Sequence, residues 1–140
     1  MSWIWRKRSG KYPPHRMKAA KEHRVPLSQA ALDLINGLRR LKGNVHLFPG
    51  AREGKPLSNM SMLMSLRRMN RTDLTMHGFR TTLRDWAAES TQYPREVCEL
   101  ALAHTRQDKV EAAYFRGDPF EKRQAMMSDW AIFVTQPFGE

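Results

Sequence analysis

The sequence has only one cysteine and no long apolar run, and these two features limit the classes of protein to which it can belong. One thiol excludes an internal disulfide bond and suits a reducing compartment. Because Cys98 lies among Val97, Leu100 and Ala101, we predict a buried thiol rather than a nucleophile. No stretch approaches the length of a membrane span, and the charges of residues 1–10 follow the apolar part, the reverse of a secretory signal. We therefore expect a cytoplasmic protein with no membrane partner.

Motifs for metal binding are also missing. The sequence contains no CxxC and no HExxH, and its five histidines have no metal-ligand spacing, so we expect no metal site. Repeats and low-complexity segments are absent as well. Predicted strands do not alternate with predicted helices, which argues against a doubly wound sheet.

Positive charge is abundant. Lysine and arginine number 24 against 14 acidic residues, for a net charge of +10 and a pI of about 10.4. Arginines cluster at 39–40, 67–68 and 71. This excess favours binding to a polyanion, and nucleic acid is the partner that we expect, with a solvated positive surface as the alternative.

The N-terminal part combines β-prone pieces with turn residues. Residues 15–18 and 22–26 favour a hairpin around residues 19–21, and "SWIW" can add a preceding strand. Ser28 is the predicted N-cap of a helix that ends at Gly43. The apolar positions that we expect on its core face are Ala31, Leu34, Ile35, Leu38 and Leu41.

The middle of the chain predicts two helices after the short turn "NVHLFPG". Ser58 is the predicted cap of a helix over 59–70, whose methionines we expect in the core, with a promiscuous binding face as the alternative. From His77 onwards, a second helix has His77, Arg80 and Arg84 on one stripe, at spacings that let the side chains converge. Its adjoining stripe, predicted to face the core, contains Phe79, Leu83, Trp86, Ala87 and Ser90.

The C-terminal part predicts three further helices. Pro94 begins a helix that runs to about Leu102, and a short helix then carries Tyr114. Gly117 and Asp118 separate this short helix from a final one, whose apolar side contains Phe120, Met127, Trp130 and Val134. The predicted class is mainly α with a small antiparallel β-sheet near the N-terminus. We expect one domain over 1–140, with a hairpin over about 12–27 and helices over about 28–135.

Four residues of this region have side chains suited to attack on a phosphodiester: His77, Arg80, His104 and Tyr114. A tyrosine nucleophile must lose a proton, the phosphate oxygens must be neutralised, and the leaving alkoxide must receive a proton. Arginine suits the second task and histidine the first, while a lysine can perform the third. By spacing alone, the signal for catalysis is weak, and a tyrosine that packs with a chance His–Arg pair is the favoured explanation.

The amino-acid sequence around these residues resembles that of the catalytic domain of tyrosine recombinases, especially integrases of prophages and genomic islands. The stretches "HGFRTTLRDWAAE", "LALAH" and "EAAYFR" carry the resemblance, together with "KRQAMMSDWAIF", "HRMKAAKEHRVPLS" and "HLFPG". The resemblance runs from about residue 12 to 134. It implies that family's fold, DNA integration as the activity, double-stranded DNA attachment sites as partners, and a bacterial cytoplasm with nucleoid association on DNA.

The resemblance also implies a role for each candidate residue. Tyr114 would form a 3′-phosphotyrosyl bond with DNA, and the energy held in that bond removes any need for a cofactor. Arg80 would be the second of two phosphate-binding arginines, and His77 would assist proton transfer at the tyrosine. His104 would hydrogen-bond a phosphate oxygen, with a helix-capping histidine as the alternative. Lys18 would be the general acid, with Lys21 as its local rival.

One departure from the family pattern affects the expected activity. The family's first catalytic arginine belongs to a helix upstream of the sheet, whereas this chain starts within the expected first strand. Arg6 and Arg8 lack the family's motif, so neither is assigned that role, and Arg84 is a further possible substitute. We therefore expect a C-terminal fragment of an integrase with impaired activity, which can self-associate through its last helix. The alternative is a non-catalytic DNA-binding or partner-binding remnant.

Overall fold

A computed structural model describes residues 9–13, 15, 22–104 and 120–137 of the chain. Within these ranges, a small sheet precedes a group of helices, so the predicted class, mainly α with a small antiparallel sheet near the N-terminus, is confirmed. The elements are β1 (Ser9–Tyr12), β2 (His23–Pro26), α1 (Gln29–Gly37), α2 (Ser61–Arg68), α3 (Met76–Ser90), α4 (Arg95–Ala101) and α5 (Phe120–Thr135).

The two strands pair antiparallel, with Ser9 opposite Pro26 and Tyr12 opposite His23. The second predicted strand, over 22–26, is confirmed. Its partner among the described residues is β1. Of the predicted partner strand over 15–18, residues 16–18 lie outside the described residues. The predicted strand "SWIW" and the turn over 19–21 lie outside the described residues.

A buried arginine connects the sheet to the last helix. Arg123 of α5 is buried, and its Nη1 donates a hydrogen bond of 2.6 Å to the backbone carbonyl of Arg24 in β2. The guanidinium carbon of Arg24 lies 4.0 Å from the ring centroid of Phe120, a distance typical of cation–π contact. Residues far apart in the sequence therefore hold β2 against the start of α5, a contact that helical periodicity does not predict.

Helix α1 begins as predicted and ends early. The hydroxyl of Ser28 accepts a hydrogen bond of 3.2 Å from the backbone N–H of Ala31, which confirms the predicted cap. The helix ends at Gly37 rather than at Gly43, because Leu38 has an extended backbone that directs the following residues away from the helix axis. Of the predicted core face, Ala31, Ile35 and Leu38 are half-buried. Leu34 is 75% exposed and Leu41 is also exposed, so the prediction is wrong at these two positions.

The structure of helix α2 shows that two further predictions are wrong. Its cap position is Met60, which makes no side-chain capping bond, whereas the hydroxyl of Ser58 pairs with that of Ser61 at 3.0 Å. Leu66 is the buried residue of this short helix. The methionines predicted for the core are exposed instead, namely Met60, Met62, Met64 and Met69. Apart from Leu66, the residues of α2 are half-buried or exposed.

The turn "NVHLFPG" is not helical, as predicted, and brings Pro49 opposite Pro56. Gly50 is required there, because a Cβ atom at this position would lie 2.3 Å from the carbonyl oxygen of Pro56.

The core lies between α3, α4 and α5. Its buried residues are Leu83, Trp86, Ala87, Val97, Cys98, Leu102 and Met126. The centre of the predicted stripe of α3 is therefore confirmed, while Phe79 and Ser90 at its two ends are exposed. The buried thiol of Cys98 is confirmed as well, and burial raises its pKa.

Helix α5 was predicted at the correct place, but part of its buried face differs from the predicted apolar side. Met127 and Trp130 pack against the core as expected, whereas Val134 is exposed. Met126, which lies outside the predicted apolar side, is completely buried. The ring of Trp130 lies 5.1 Å from that of Trp86, measured between centroids, so an aromatic contact joins α5 to α3.

Candidate functional site

The first turn of α3 carries two of the predicted site residues. The hydroxyl of Thr75 accepts a hydrogen bond of 3.0 Å from the N–H of Gly78, and this cap starts the helix immediately before His77. His77 and Arg80 are both exposed, three residues apart on the same helix. At this spacing their side chains are neighbours on the helix surface.

Arg80 connects α3 to the end of α4. Its Nη2 donates a hydrogen bond to the backbone carbonyl of Leu102, the residue that caps α4. A guanidinium has five N–H donors in a fixed plane, so this bond orients the group and leaves further donors for an anion. The same bond brings Arg80 to the chain segment that leads into His104.

A tight turn after α4 positions His104. The N–H of His104 bonds to the carbonyl of Glu99 at 3.0 Å, and the N–H of Ala103 bonds to that of Leu100 at 3.1 Å. These two bonds form a Schellman motif, which needs a left-handed residue, and Ala103 has a φ of 55°. Glycine normally occupies this position, because a Cβ atom makes the left-handed region unfavourable. The backbone at His104 therefore turns back over the last turn of α4.

Glu99 lies at the centre of a cluster of positive side chains. Its Oε2 lies 2.5 Å from Nδ1 of His104, and its Oε1 lies 3.4 Å from Nε of Arg84 and 3.9 Å from Nε of Arg95. Burial alone would raise the pKa of Glu99. The hydrogen bond from His104 and the charges of Arg84, His104 and Arg95 outweigh burial, so this pKa is below its usual range.

A cavity of about 480 Å³ lies beside this cluster, between α3 and α4. Arg84, Arg95 and Glu99 line it, together with Cys98 and Tyr93. The hydroxyl of Tyr93 donates a hydrogen bond of 2.5 Å to Asp129 of α5, so the far side of the cavity is anchored to the last helix.

The structure thus brings together part of the predicted set. Arg80 and His104 are joined through the turn at Leu102, and His77 lies one helical turn before Arg80. Tyr114 and Lys18 lie outside the described residues, as do Lys21, Arg6 and Arg8.

Sequence reasoning missed Glu99 and Ala103. A spacing of five residues does not place two side chains on one helix face, so the pair Glu99–His104 forms only because the chain reverses at Ala103. The available signal was an acid four residues after Arg95 and five before His104, and many surfaces share such a spacing.

Two negative findings apply to the described part of the chain. It contains no group of three or more His, Cys, Asp or Glu side chains able to hold a metal ion. None of its helices is long and apolar enough to cross a membrane.

Comparison with known proteins places the chain beside integrases. The integrase of Enterobacteria phage P4 is 34% identical over 130 residues, which are 89% of this chain and 30% of that protein. The prophage integrase IntA of Escherichia coli K12 is 34% identical over 127 residues, with the same two shares of 89% and 30%. The prophage integrase IntZ of that strain is 35% identical over 121 residues, which are 85% of this chain and 30% of IntZ.

The chain therefore spans about 30% of the length of these curated relatives. No family model matches it, and no solved structure matches it significantly.

Proposed function

Because the chain is a homologue of phage and prophage integrases, we propose that it acts in site-specific recombination of double-stranded DNA at attachment sites. In this proposal it has the fold of a tyrosine recombinase catalytic domain and uses that family's transesterification. The observation that carries the proposal is the bond from Arg80 to the carbonyl of Leu102, which places Arg80 beside the turn that holds His104.

The guanidinium of Arg80 on α3 and the imidazole of His104 in the turn after α4 are suited to one phosphate. Arg80 offers a planar pair of donors to two oxygens of the scissile phosphate, and His104 offers a ring nitrogen to one of them. Such donors stabilise the negative charge that builds up as the phosphorus is attacked. The net charge of +10 supports contacts with neighbouring phosphates as well.

The remaining steps are assigned to His77 and to two residues outside the described ranges, Tyr114 and Lys18. The hydroxyl oxygen of Tyr114 attacks the phosphorus, its proton passes to His77, and a 3′-phosphotyrosyl bond forms. The bond between phosphorus and the 5′ oxygen breaks, and Lys18 gives its proton to that oxygen. A free 5′-hydroxyl of the partner strand later reverses this attack, so the reaction needs neither a metal nor a nucleotide.

We test the proposal with a nicked duplex that traps the covalent intermediate. Tyr114→Phe removes only the nucleophilic oxygen, so it should abolish the covalent protein–DNA adduct and leave DNA binding nearly unchanged. Arg80→Lys should reduce the adduct strongly, because an ammonium cannot contact two oxygens in one plane. The adduct is measured on denaturing gels, and binding is measured by fluorescence anisotropy.

A polypeptide of these 140 residues alone is expected to be weak in this assay. The sequence offers motif support for one phosphate-binding arginine, and the loss of one preorganised donor costs about 100- to 1000-fold in rate. The matched control is a chimaera in which the preceding part of the phage P4 integrase is added. Adduct formation by Tyr114→Phe in that chimaera contradicts the assigned nucleophile, whereas DNA binding with no adduct from any version favours the non-catalytic alternative.

Self-association through α5 belongs to the same proposal. Ile132, Phe133 and Val134 at its C-terminal end are exposed, and in the proposed fold such a segment packs on a neighbouring protomer. An exposed group of large apolar side chains is typical of an interaction surface.

A further inference from the structure

The two oxygens of the Glu99 carboxylate have different partners. Oε1 faces both arginines, at 3.4 Å from Nε of Arg84 and 3.9 Å from Nε of Arg95. Oε2 faces the imidazole of His104, at 2.5 Å from Nδ1. The arginines thus occupy one oxygen and leave the other to the histidine ring.

An ionised carboxylate accepts hydrogen bonds and cannot donate them. The lowered pKa of Glu99 keeps it ionised near neutral pH, so the proton of this short contact belongs to Nδ1 of His104. The hydrogen bond at one ring nitrogen determines which tautomer a neutral histidine adopts. In the neutral ring of His104, Nε2 therefore carries the lone pair.

The ring is held at two points. The Schellman turn places the backbone of His104 over the end of α4, and Glu99 holds Nδ1 from the preceding turn of the same helix. The His104 side chain is still 39% exposed. Because Nδ1 is engaged, Nε2 is the ring nitrogen left for a ligand.

We infer that Glu99 is a positioning residue for His104: its carboxylate keeps the proton on Nδ1 and presents Nε2 to a DNA phosphate. The phosphate in this statement rests on the proposed function, whereas the tautomer rests only on the contacts of Glu99. In this inference Glu99 acts through His104 and is not itself a phosphate ligand.

The negative charge of Glu99 also stabilises the positively charged form of His104 that phosphate binding requires. Nε2 donates to a phosphate oxygen only when it carries a proton, so the bound ring is doubly protonated, with the second proton taken from solvent. A ring in that form is a cation between two anions, Glu99 on one side and the phosphate on the other. A glutamine at position 99 has nearly the same shape, but it carries no charge and offers both a donor and an acceptor. It therefore selects neither tautomer.

The test is the protonation state of each ring nitrogen, measured by long-range ¹H–¹⁵N correlation spectra of the full chain with ¹⁵N-labelled histidine. His104 is assigned by its absence in His104→Asn. We expect the neutral ring of the wild-type protein to carry its proton on Nδ1. Glu99→Gln should give a mixture of tautomers, and Glu99→Ala should shift the proton to Nε2.

Glu96→Gln is the matched control, since it removes one acidic charge from the same helix and leaves the His104 contact in place. We expect its His104 signals to match those of the wild type. If the neutral His104 ring of the wild-type protein carries its proton on Nε2, the inference is wrong, whatever the variants show. An unchanged tautomer in a folded Glu99→Ala protein also overturns it.

Addition of a short DNA duplex separates this inference from the proposed function. In the wild type, Nε2 of His104 should move to the shift of a protonated nitrogen, and Glu99→Gln should show a smaller change. In the adduct assay with the chimaera, Glu99→Gln should be slower by roughly 10- to 100-fold, as for other residues that orient a functional histidine. If the tautomer is as expected but DNA leaves the His104 ring signals unchanged, the phosphate role and the proposed function fail, and the positioning by Glu99 stands.

Discussion

A single residue determines the backbone geometry of the turn that holds the candidate site together. Ala103 adopts a left-handed backbone, with a φ of 55°, that disfavours any residue with a Cβ atom by about 1–2 kcal/mol. The reversal at this residue brings His104 to Glu99 and its neighbour Leu102 to Arg80. Alanine at a position that suits glycine is therefore tolerated where the turn is stabilised by contacts on both sides.

Tyr93 provides a prediction at the scale of one side chain. Its hydrogen bond to Asp129, its burial and the charge of Asp129 raise its pKa to about 12, against about 10 in an unfolded chain. The folded state therefore favours the protonated phenol. This contribution to stability is complete below about pH 10 and is lost as the pH rises towards 12. In a titration followed by phenolate absorbance, Tyr93→Phe should remove a late phase, and Asp129→Asn should move that phase to lower pH.

If Tyr93→Phe leaves the high-pH end of the titration unchanged, the bond to Asp129 does not hold the phenol proton. Asp129→Asn serves as the matched variant, because it keeps a hydrogen-bond acceptor and removes only the charge.

Among the elements, α5 combines a buried face with an exposed end. Met126 is completely buried in the core, whereas Ile132 is 59% exposed. Met126 joins α5 to residues of α3 and α4, while Arg123 joins it to β2. The helix is thus held from Arg123 to Trp130, and its C-terminal end carries the exposed side chains that we propose for self-association.

These two positions give a matched pair of substitutions on α5. Met126→Ala leaves a cavity and should lower the free energy of unfolding by about 2–5 kcal/mol. Ile132→Ser should change stability by no more than about 0.5 kcal/mol, because its side chain is exposed. In sedimentation velocity, Ile132→Ser should reduce self-association and Met126→Ala should do so only when the protein unfolds. Equal self-association of folded wild-type and Ile132→Ser proteins contradicts the proposed surface.

At the scale of the whole molecule, charge dominates. A net charge of +10 on 140 residues produces a strong field that attracts DNA from solution and is screened by salt. This property does not depend on the catalytic residues, so it is common to the recombinase and to its non-catalytic alternative.

The corresponding prediction concerns the affinity for duplex DNA of arbitrary sequence. Each phosphate contact releases counterions, so several contacts should weaken binding by roughly 1000-fold or more between about 50 and 200 mM salt. Fluorescence anisotropy of a labelled duplex at a series of salt concentrations measures this slope. A dissociation constant that does not change over this range contradicts a phosphate-based interface.

The sequence by itself determined the elements whose signals are local. The cap at Ser28, the start of α4 beside Pro94, the helical stripe around Trp86 and the position of α5 follow from side chains within one or two turns of each other. The resemblance to integrases was likewise carried by ordered short motifs, and the curated relatives confirm it. Such features require no knowledge of which segments meet in space.

Only the tertiary structure decided which apolar positions are buried and which charged groups meet. The methionines of α2 and Leu34 of α1 lie on helices, yet they are exposed because no described element covers them, whereas Met126 of α5 is packed against α3 and α4. The pair of Glu99 and His104 depends on a left-handed turn at an alanine, and Arg123 reaches β2 across 99 positions of sequence. Periodicity reports which residues share a face of one element, but burial and ion pairing depend on the neighbour that the face meets.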